Sequence, residues 1–161
     1  MQALQAAGTP GEAHERLAET VGSWDMEIKM WMDPSAPPSV TTGTVERKMI
    51  LGNRVLVEEV TSSMMGSTFT GYGMTGYDNV RGEYWGTWND SMSTGISTSR
   101  GSYDAESNSY TFHGESTNPM TGDITKNRGV VSRKGNSEVM EFYEIRGDQE
   151  VKTMEIVYTK K

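Results

Sequence analysis

The sequence predicts an all-β fold: a closed, antiparallel, up-and-down β-barrel of about ten strands, capped at one end by a short N-terminal helix. Three observations predict it. Segments of β-type patterning recur at about twelve-residue spacing with hairpin-sized gaps. Helical periodicity is confined to the N-terminal region. Sequential strands without later helices pair as a meander, and an open sheet of that size leaves two raw edges that closure removes.

Residues 1–8 read as a flexible N-terminal segment, and residues 9–161 as the barrel domain. Thr9-Pro10-Gly11-Glu12 has the chemistry of a helix start, with Thr9 as cap, Pro10 in the first turn and Glu12 completing a capping box. Ala13, Leu17 and Val21 fall on one stripe and Gly22 ends the helix, which is predicted over Gly11–Val21. About three turns are too few to be stable alone, so the stripe must rest on the barrel and plug its end. His14 is expected to be exposed.

After Gly22 the period changes. Trp24, Met26, Ile28, Met30 and Met32 alternate with Asp25, Glu27, Lys29 and Trp31, the clearest strand in the chain. Asp33-Pro34-Ser35-Ala36-Pro37-Pro38 is a loop that no central strand could contain. Further strands are predicted at Val40–Leu51, Val55–Ser63, Ser67–Tyr77, Glu83–Asn89, Gly95–Tyr103, Ser109–Asn118, Ile124–Arg133, Glu138–Arg146 and Val151–Thr159. Leu51-Gly52-Asn53-Arg54, Lys134-Gly135-Asn136 and Arg146-Gly147-Asp148 set Gly beside Asn or Asp, as hairpin turns require.

Composition narrows the function. The 161 residues suit one domain, and their formal net charge of −7 repels phosphate backbones, so no nucleic-acid partner is expected. The absence of Cys excludes a disulfide framework and a thiolate metal site, and no metal is expected. No run of eighteen apolar residues is present, so no membrane partner is expected. Gln2–Gly8 lacks a basic start, so the sequence as given reads as cytoplasmic, or as periplasmic or secreted if a leader has been removed. Only 4 Leu and 6 Ile stand beside 12 Met, 7 Tyr and 4 Trp. A core built from adaptable Met and aromatics, with many Ser, Thr and Gly, suits a barrel that is not solidly filled.

Gly71-Tyr72-Gly73-Met74-Thr75-Gly76 matches the dinucleotide pattern G-x-G-x-x-G, but a turn follows it instead of a helix. The geometric reading is better: Gly71 and Gly73 share one strand face, where missing side chains allow sharp coiling or make room for a large neighbour. His14 and His113 are the only histidines. His113, in mid-strand, is a weak candidate general base; a strand His is also commonly a plain surface residue. Met26, Met30 and Met32 share a face with Trp24 and read as core. Arg100 and Arg128 interrupt uncharged strand runs. Facing inward, either would offer a guanidinium suited to a carboxylate; facing outward, each is a solvated charge.

Gly22-Ser23-Trp24, opening the first strand after a short helix, resembles the Gly-x-Trp signature of lipocalins and other calycins. More of the chain is similar to a bacterial domain-of-unknown-function family, number fifteen-seventy-nine. The matching stretches are His14-Glu15-Arg16-Leu17 through Gly22-Ser23-Trp24, Trp31 through Pro38, Met49-Ile50-Leu51-Gly52, Phe69 with Gly71, Gly73 and Gly76-Tyr77-Asp78-Asn79, Trp88 with Asp90, Gly101 with Tyr103-Asp104, and Glu150 through Glu155. The resemblance implies a lipocalin-like barrel and no particular activity. By analogy with calycins, Trp24 should close the helix end with Lys160 or Lys152 over its ring. The chain keeps Gly-x-Trp but lacks the Gly-x-Gly-x-Gly-x-Tyr-Pro stretch of nitrobindin-type haem barrels, so haem is not expected.

The leading functional expectation is a binding module whose interior holds a small apolar or amphipathic molecule. The candidate binding residues are Trp24, Tyr72, Trp88 and Tyr143, with Arg100 or Arg128 as polar anchor and His113 beside them. Two alternatives stand next to it: a hydrolase- or isomerase-type enzyme in the same cavity with His113 as base, and a structural or assembly protein with a filled barrel. A homodimer is compatible with all three.

Overall fold

A computed structural model describes residues 1–161. Two helices, α1 (Gln2–Gly8) and α2 (Glu12–Ala18), precede ten strands: β1 (Gly22–Met30), β2 (Ser39–Ile50), β3 (Val55–Met64), β4 (Ser67–Asp78), β5 (Glu83–Asp90), β6 (Ser97–Asp104), β7 (Ser109–Thr117), β8 (Ile124–Lys134), β9 (Ser137–Arg146) and β10 (Gln149–Lys160). Each strand pairs antiparallel with the next, and β1 also pairs with β10, closing the barrel. Trp24 sits opposite Val45 on one side and Lys160 on the other, so the two ends of the barrel sequence meet at this seam. All ten expected strands are present. The first ends two residues early, because Trp31 leaves the alternation and Met32 lies in the Pro-rich loop.

The helical region departs from the sequence reading. Residues 1–8, expected to be flexible, include α1, whose C-terminal carbonyls are tied to the barrel: Arg54 donates to the Gly8 carbonyl, and Asn79 Nδ2 to those of Ala6, Ala7 and Thr9. Thr9 does not cap α2, because its Oγ1 donates to the Gln5 carbonyl at the end of α1. The cap of α2 is Gly11, whose N–H donates to His14 Nδ1 at 3.1 Å. His14 is therefore buried, with its ring edge-on to Tyr77, and not exposed. Leu17 is 4 % exposed and packs with Leu56, Tyr84 and Tyr110, so the helix plugs the barrel as its apolar stripe requires. Val21 lies beyond the helix and is exposed.

Two apolar clusters fill the walls. Trp24, Met26, Ile28, Val45, Val60, Ile156 and Tyr158 pack around the seam. The second lies under α2 and continues as edge-on contacts among Tyr77, Tyr84 and Tyr110. Trp24 is buried at the helix end, where its Nε1 donates to the Thr20 carbonyl at 2.9 Å. Lys160 Nζ lies 5.6 Å from its ring centroid, as the calycin analogy implies. Lys152 instead lies over Trp31.

Gly71 and Gly73 face the indole of Trp88 across the β4–β5 pair, where Gly73 is directly opposite Trp88. A Cβ at Gly71 would collide with the far edge of that ring, and one at Gly73 would stand 3.2 Å from it. The glycine pair is the seat of a tryptophan, which accounts for a motif that had the outward form of a nucleotide loop.

Two stability outcomes follow from this packing. Leu17→Ala should lower unfolding free energy by about 2–5 kcal/mol in urea denaturation; a change within about 0.5 kcal/mol would mean that the helix is not part of the core. Gly71→Ala should cost about 1–3 kcal/mol through overpacking. Most of that loss should vanish when Trp88→Leu is already present, because the collision is with the indole alone; simple additivity in the double-mutant cycle would contradict the seating.

Candidate functional site: a cavity in the barrel lumen

Strand alternation sends every second side chain into the lumen, and here those side chains do not fill it. A cavity of about 560 Å³ runs from Leu17 and Thr20 under the helix to Met64 and Met92 at the opposite end. That volume is within the range of small-molecule sites. Its wall is built largely from unbranched or flat groups: Met26, Met30, Met140, Met154, Phe69, Trp88, Phe112 and Phe142. Ser97 and Ser99 of β6, and Gly73, Gly86 and Gly129, occupy inward positions that larger side chains would otherwise fill. The scarcity of Leu and Ile in the sequence is therefore expressed as empty volume.

The two ends differ. Beneath the helix the barrel is closed. At the other end the loops after β1, β3, β5 and β7 expose Met32, Met65, Met92 and Met120, joined by Ile96 and Ile124. Met65 and Gly66 form the two-residue β3–β4 turn with φ of 51° and 79°, the left-handed geometry of a tight hairpin. Its Met65 side chain thus stands at the rim. The open end wears an apolar collar.

The polar part of the cavity centres on Arg47. It is 6 % exposed. Its Nη1 donates to Glu138 Oε1 at 2.7 Å, and its Nε lies 2.7 Å from Glu58 Oε1. The rings of Trp24 and Tyr158 pack against the guanidinium, with centroids 4.8 and 4.9 Å from Cζ. Burial opposes its charge, but the carboxylates of Glu58 and Glu138 outweigh burial and push its pKa up. Glu138 is also held by Arg133, at 3.3 Å. Nearby, Tyr110 is buried with its ring edge-on to Tyr84. Burial pushes the pKa of this phenol up, so it stays protonated. Toward the mouth, Trp88 Nε1 donates to Asp90 Oδ2 at 2.8 Å.

Of the seven residues singled out in the sequence, Trp88 lines the cavity and Trp24 lies in the packed layer beside it, against Arg47. The other five are corrected by the register. Tyr72 is 42 % exposed on the outer wall, in the opposite phase to Gly71 and Gly73. Arg100, His113, Arg128 and Tyr143 stand directly opposite one another on β6, β7, β8 and β9, forming one row across the outside of the barrel. Trp85 and Lys152 extend that row at its two ends. Its arginines are already paired: Arg128 with Glu150 at 2.7 Å, its guanidinium 4.6 Å from the Tyr143 ring centroid, and Arg100 with Glu83 at 3.4 Å. The phase explains the error. Arg100 is in phase with Thr98 and Ser102, and His113 with Thr111 and Glu115, so both share a face with polar neighbours.

Arg47, Glu58, Glu138, Tyr110 and Asn127 went unnoticed in the sequence, although the same rule would have found the charged ones. Arg47 is in phase with Val45 and Met49, Glu58 with Leu56 and Val60, and Glu138 with Met140 and Phe142. A charge on the apolar face of a strand is a buried charge. Neither histidine lines the cavity, and no three His, Asp or Glu side chains converge as a metal-ligand set. No helix is long and apolar enough to cross a membrane.

The fold is shared with a solved structure, that of Rv2717c from M. tuberculosis, with a TM-score of 0.66 at 11 % identity, covering 95 % of this chain and 99 % of that one. At such identity the likeness shows the barrel and nothing further. No curated protein matches the chain. The matching family is described as "Protein of unknown function (DUF1579)", and the match extends over residues 9–160. The closed barrel, its helical cap and the Trp88 seat therefore belong to a chain that is a member of the DUF1579 family.

Proposed function

We propose that the protein is a carrier or sensor that holds a small apolar or amphipathic molecule in the barrel lumen. One observation carries this reading: a cavity of about 560 Å³ with an apolar wall and hydrogen-bonding groups at its closed end. An empty cavity of this size sacrifices dispersion contacts along its whole wall, and polar groups within it call for water or a ligand. The apolar collar gives an amphiphile an entry that does not require the barrel to open. The filled-barrel alternative lacks its premise, because the side chains leave the lumen unfilled. The enzyme alternative loses its base, because His113 lies on the outer wall.

Gly129 supplies a specific test. It faces the lumen, and a Cβ there would meet only Phe142 Cδ2, at 3.9 Å, so a larger side chain extends into the empty space without displacing the wall. Binding of an environment-sensitive hydrophobic dye, followed by fluorescence titration, should be saturable with one site per chain. Gly129→Leu should weaken it at least tenfold while leaving the urea midpoint equal or higher. Dye binding that is unchanged in Gly129→Leu would place the dye on the surface and count against a lumenal site. Native mass spectrometry of protein from its own host should show a retained small molecule that this variant lacks.

A further inference from the structure

Resting on the lumenal-binding reading, we infer that the cavity selects amphiphiles whose head group donates hydrogen bonds or carries positive charge, and rejects carboxylates such as free fatty acids. The charged residues lining the cavity are Arg47, Glu58, Asp90 and Glu138, one cation against three carboxylates. The charge of the arginine is already met by two carboxylates. Its Nη1 donates to Glu138 Oε1, its Nε lies 2.7 Å from Glu58 Oε1, and two aromatic rings lie against the guanidinium. A carboxylate head at this point would compete with two acids for one cation in a low-dielectric lumen.

The acids are not equally occupied. Glu138 is 3 % exposed and lies between Arg47 and Arg133. Asp90 accepts from Trp88 Nε1 and from the Met92 N–H. Glu58 has only Arg47, through Oε1, and its side chain retains 25 % exposure. Its free edge faces Gly73, directly opposite on β4, where a Cβ would stand 3.6 Å from Glu58 Oε2. The absent side chain at Gly73 thus leaves room beside an accepting oxygen as well as for the Trp88 ring.

The net charge of the lining and the free edge of Glu58 point to the same kind of head group. An ammonium, amine or hydroxyl head offers a donor to the free Glu58 oxygen; a carboxylate brings only acceptors and further negative charge. The tail then lies along Met26, Met140 and Met154 toward the mouth.

The test uses the intact protein and three twelve-carbon competitors below their micelle concentrations at pH 7: dodecylamine, dodecanol and dodecanoate, each displacing a neutral hydrophobic dye. The expected order is amine, then alcohol, then carboxylate, with at least a tenfold gap between first and last. Glu58→Gln should close most of that gap by weakening the amine and strengthening dodecanoate, with dodecanol little changed. The wild-type order stands as a test even if that variant folds poorly. Dodecanoate binding as tightly as dodecylamine, with dodecanol still displacing the dye, would overturn the head-group inference and leave lumenal binding intact. Failure of all three competitors, together with dye binding insensitive to Gly129→Leu, would overturn both.

Discussion

Everything in this molecule depends on the seam between β1 and β10. Sequential hairpins alone would give an open ten-stranded sheet with two unpaired backbone edges. The pairing of Trp24–Met30 with Met154–Lys160 converts that sheet into a tube and fixes its circumference. Once the circumference is set, the amount of side chain sent inward decides whether the tube is a solid core or a container. This chain sends in methionines, serines and glycines, and the result is a container. The seam also brings the C-terminal Lys160 to the ring of Trp24, so the element that begins the barrel and the element that ends it close the same end of the lumen.

Inside the container, one cation organises the polar chemistry. Arg47 joins β2 to β3 through Glu58 and to β9 through Glu138, across 91 residues of sequence in the latter case. Isolated in a low-dielectric lumen, any member of this group would be heavily penalised; together, and with Arg133 behind Glu138, they are tolerated. Such a knot is weak evidence for stability. Its consequence is positional, because it holds carboxylates at fixed places on a wall that would otherwise be uniformly apolar. The contrast with the exterior is plain. The row from Arg100 to Tyr143 is richer in conspicuous residues, yet its ions are solvent-accessible pairs of the kind that contribute little.

The fold was legible because its signals are local: alternation, turn chemistry and Pro-rich breaks each identify an element without reference to any other. Trp24 was legible for the same reason, as a large residue in phase with Met26 and Ile28, whereas Trp88, in phase with Gly86 and Asp90, stood out by size alone. The lumen's polar groups were not, because residues rare in their surroundings drew attention ahead of residues out of place in them. His113 and Arg100 are conspicuous by type; Arg47 and Glu58 are anomalous by phase. The helix caps failed for a different reason. Thr9 lies between two helices, and local chemistry does not say which one its hydroxyl will serve. The pairing of Arg47 with Glu138 is a product of closure and has no local signature at all.

The seating of Trp88 on Gly71 and Gly73 has a consequence for how this chain can diverge. Three positions on two neighbouring strands share one volume, so substitutions at them are not independent histories. A relative that acquires a side chain at position 71 must first, or simultaneously, give up the indole at 88, and a relative that loses the indole releases both glycines to drift. Such a lineage would gain lumen volume and lose the indole N–H that now holds Asp90, so the shape and the polarity of its cavity would change together. Ligand preference across these barrels would then shift in steps, with intermediate forms disfavoured by packing alone.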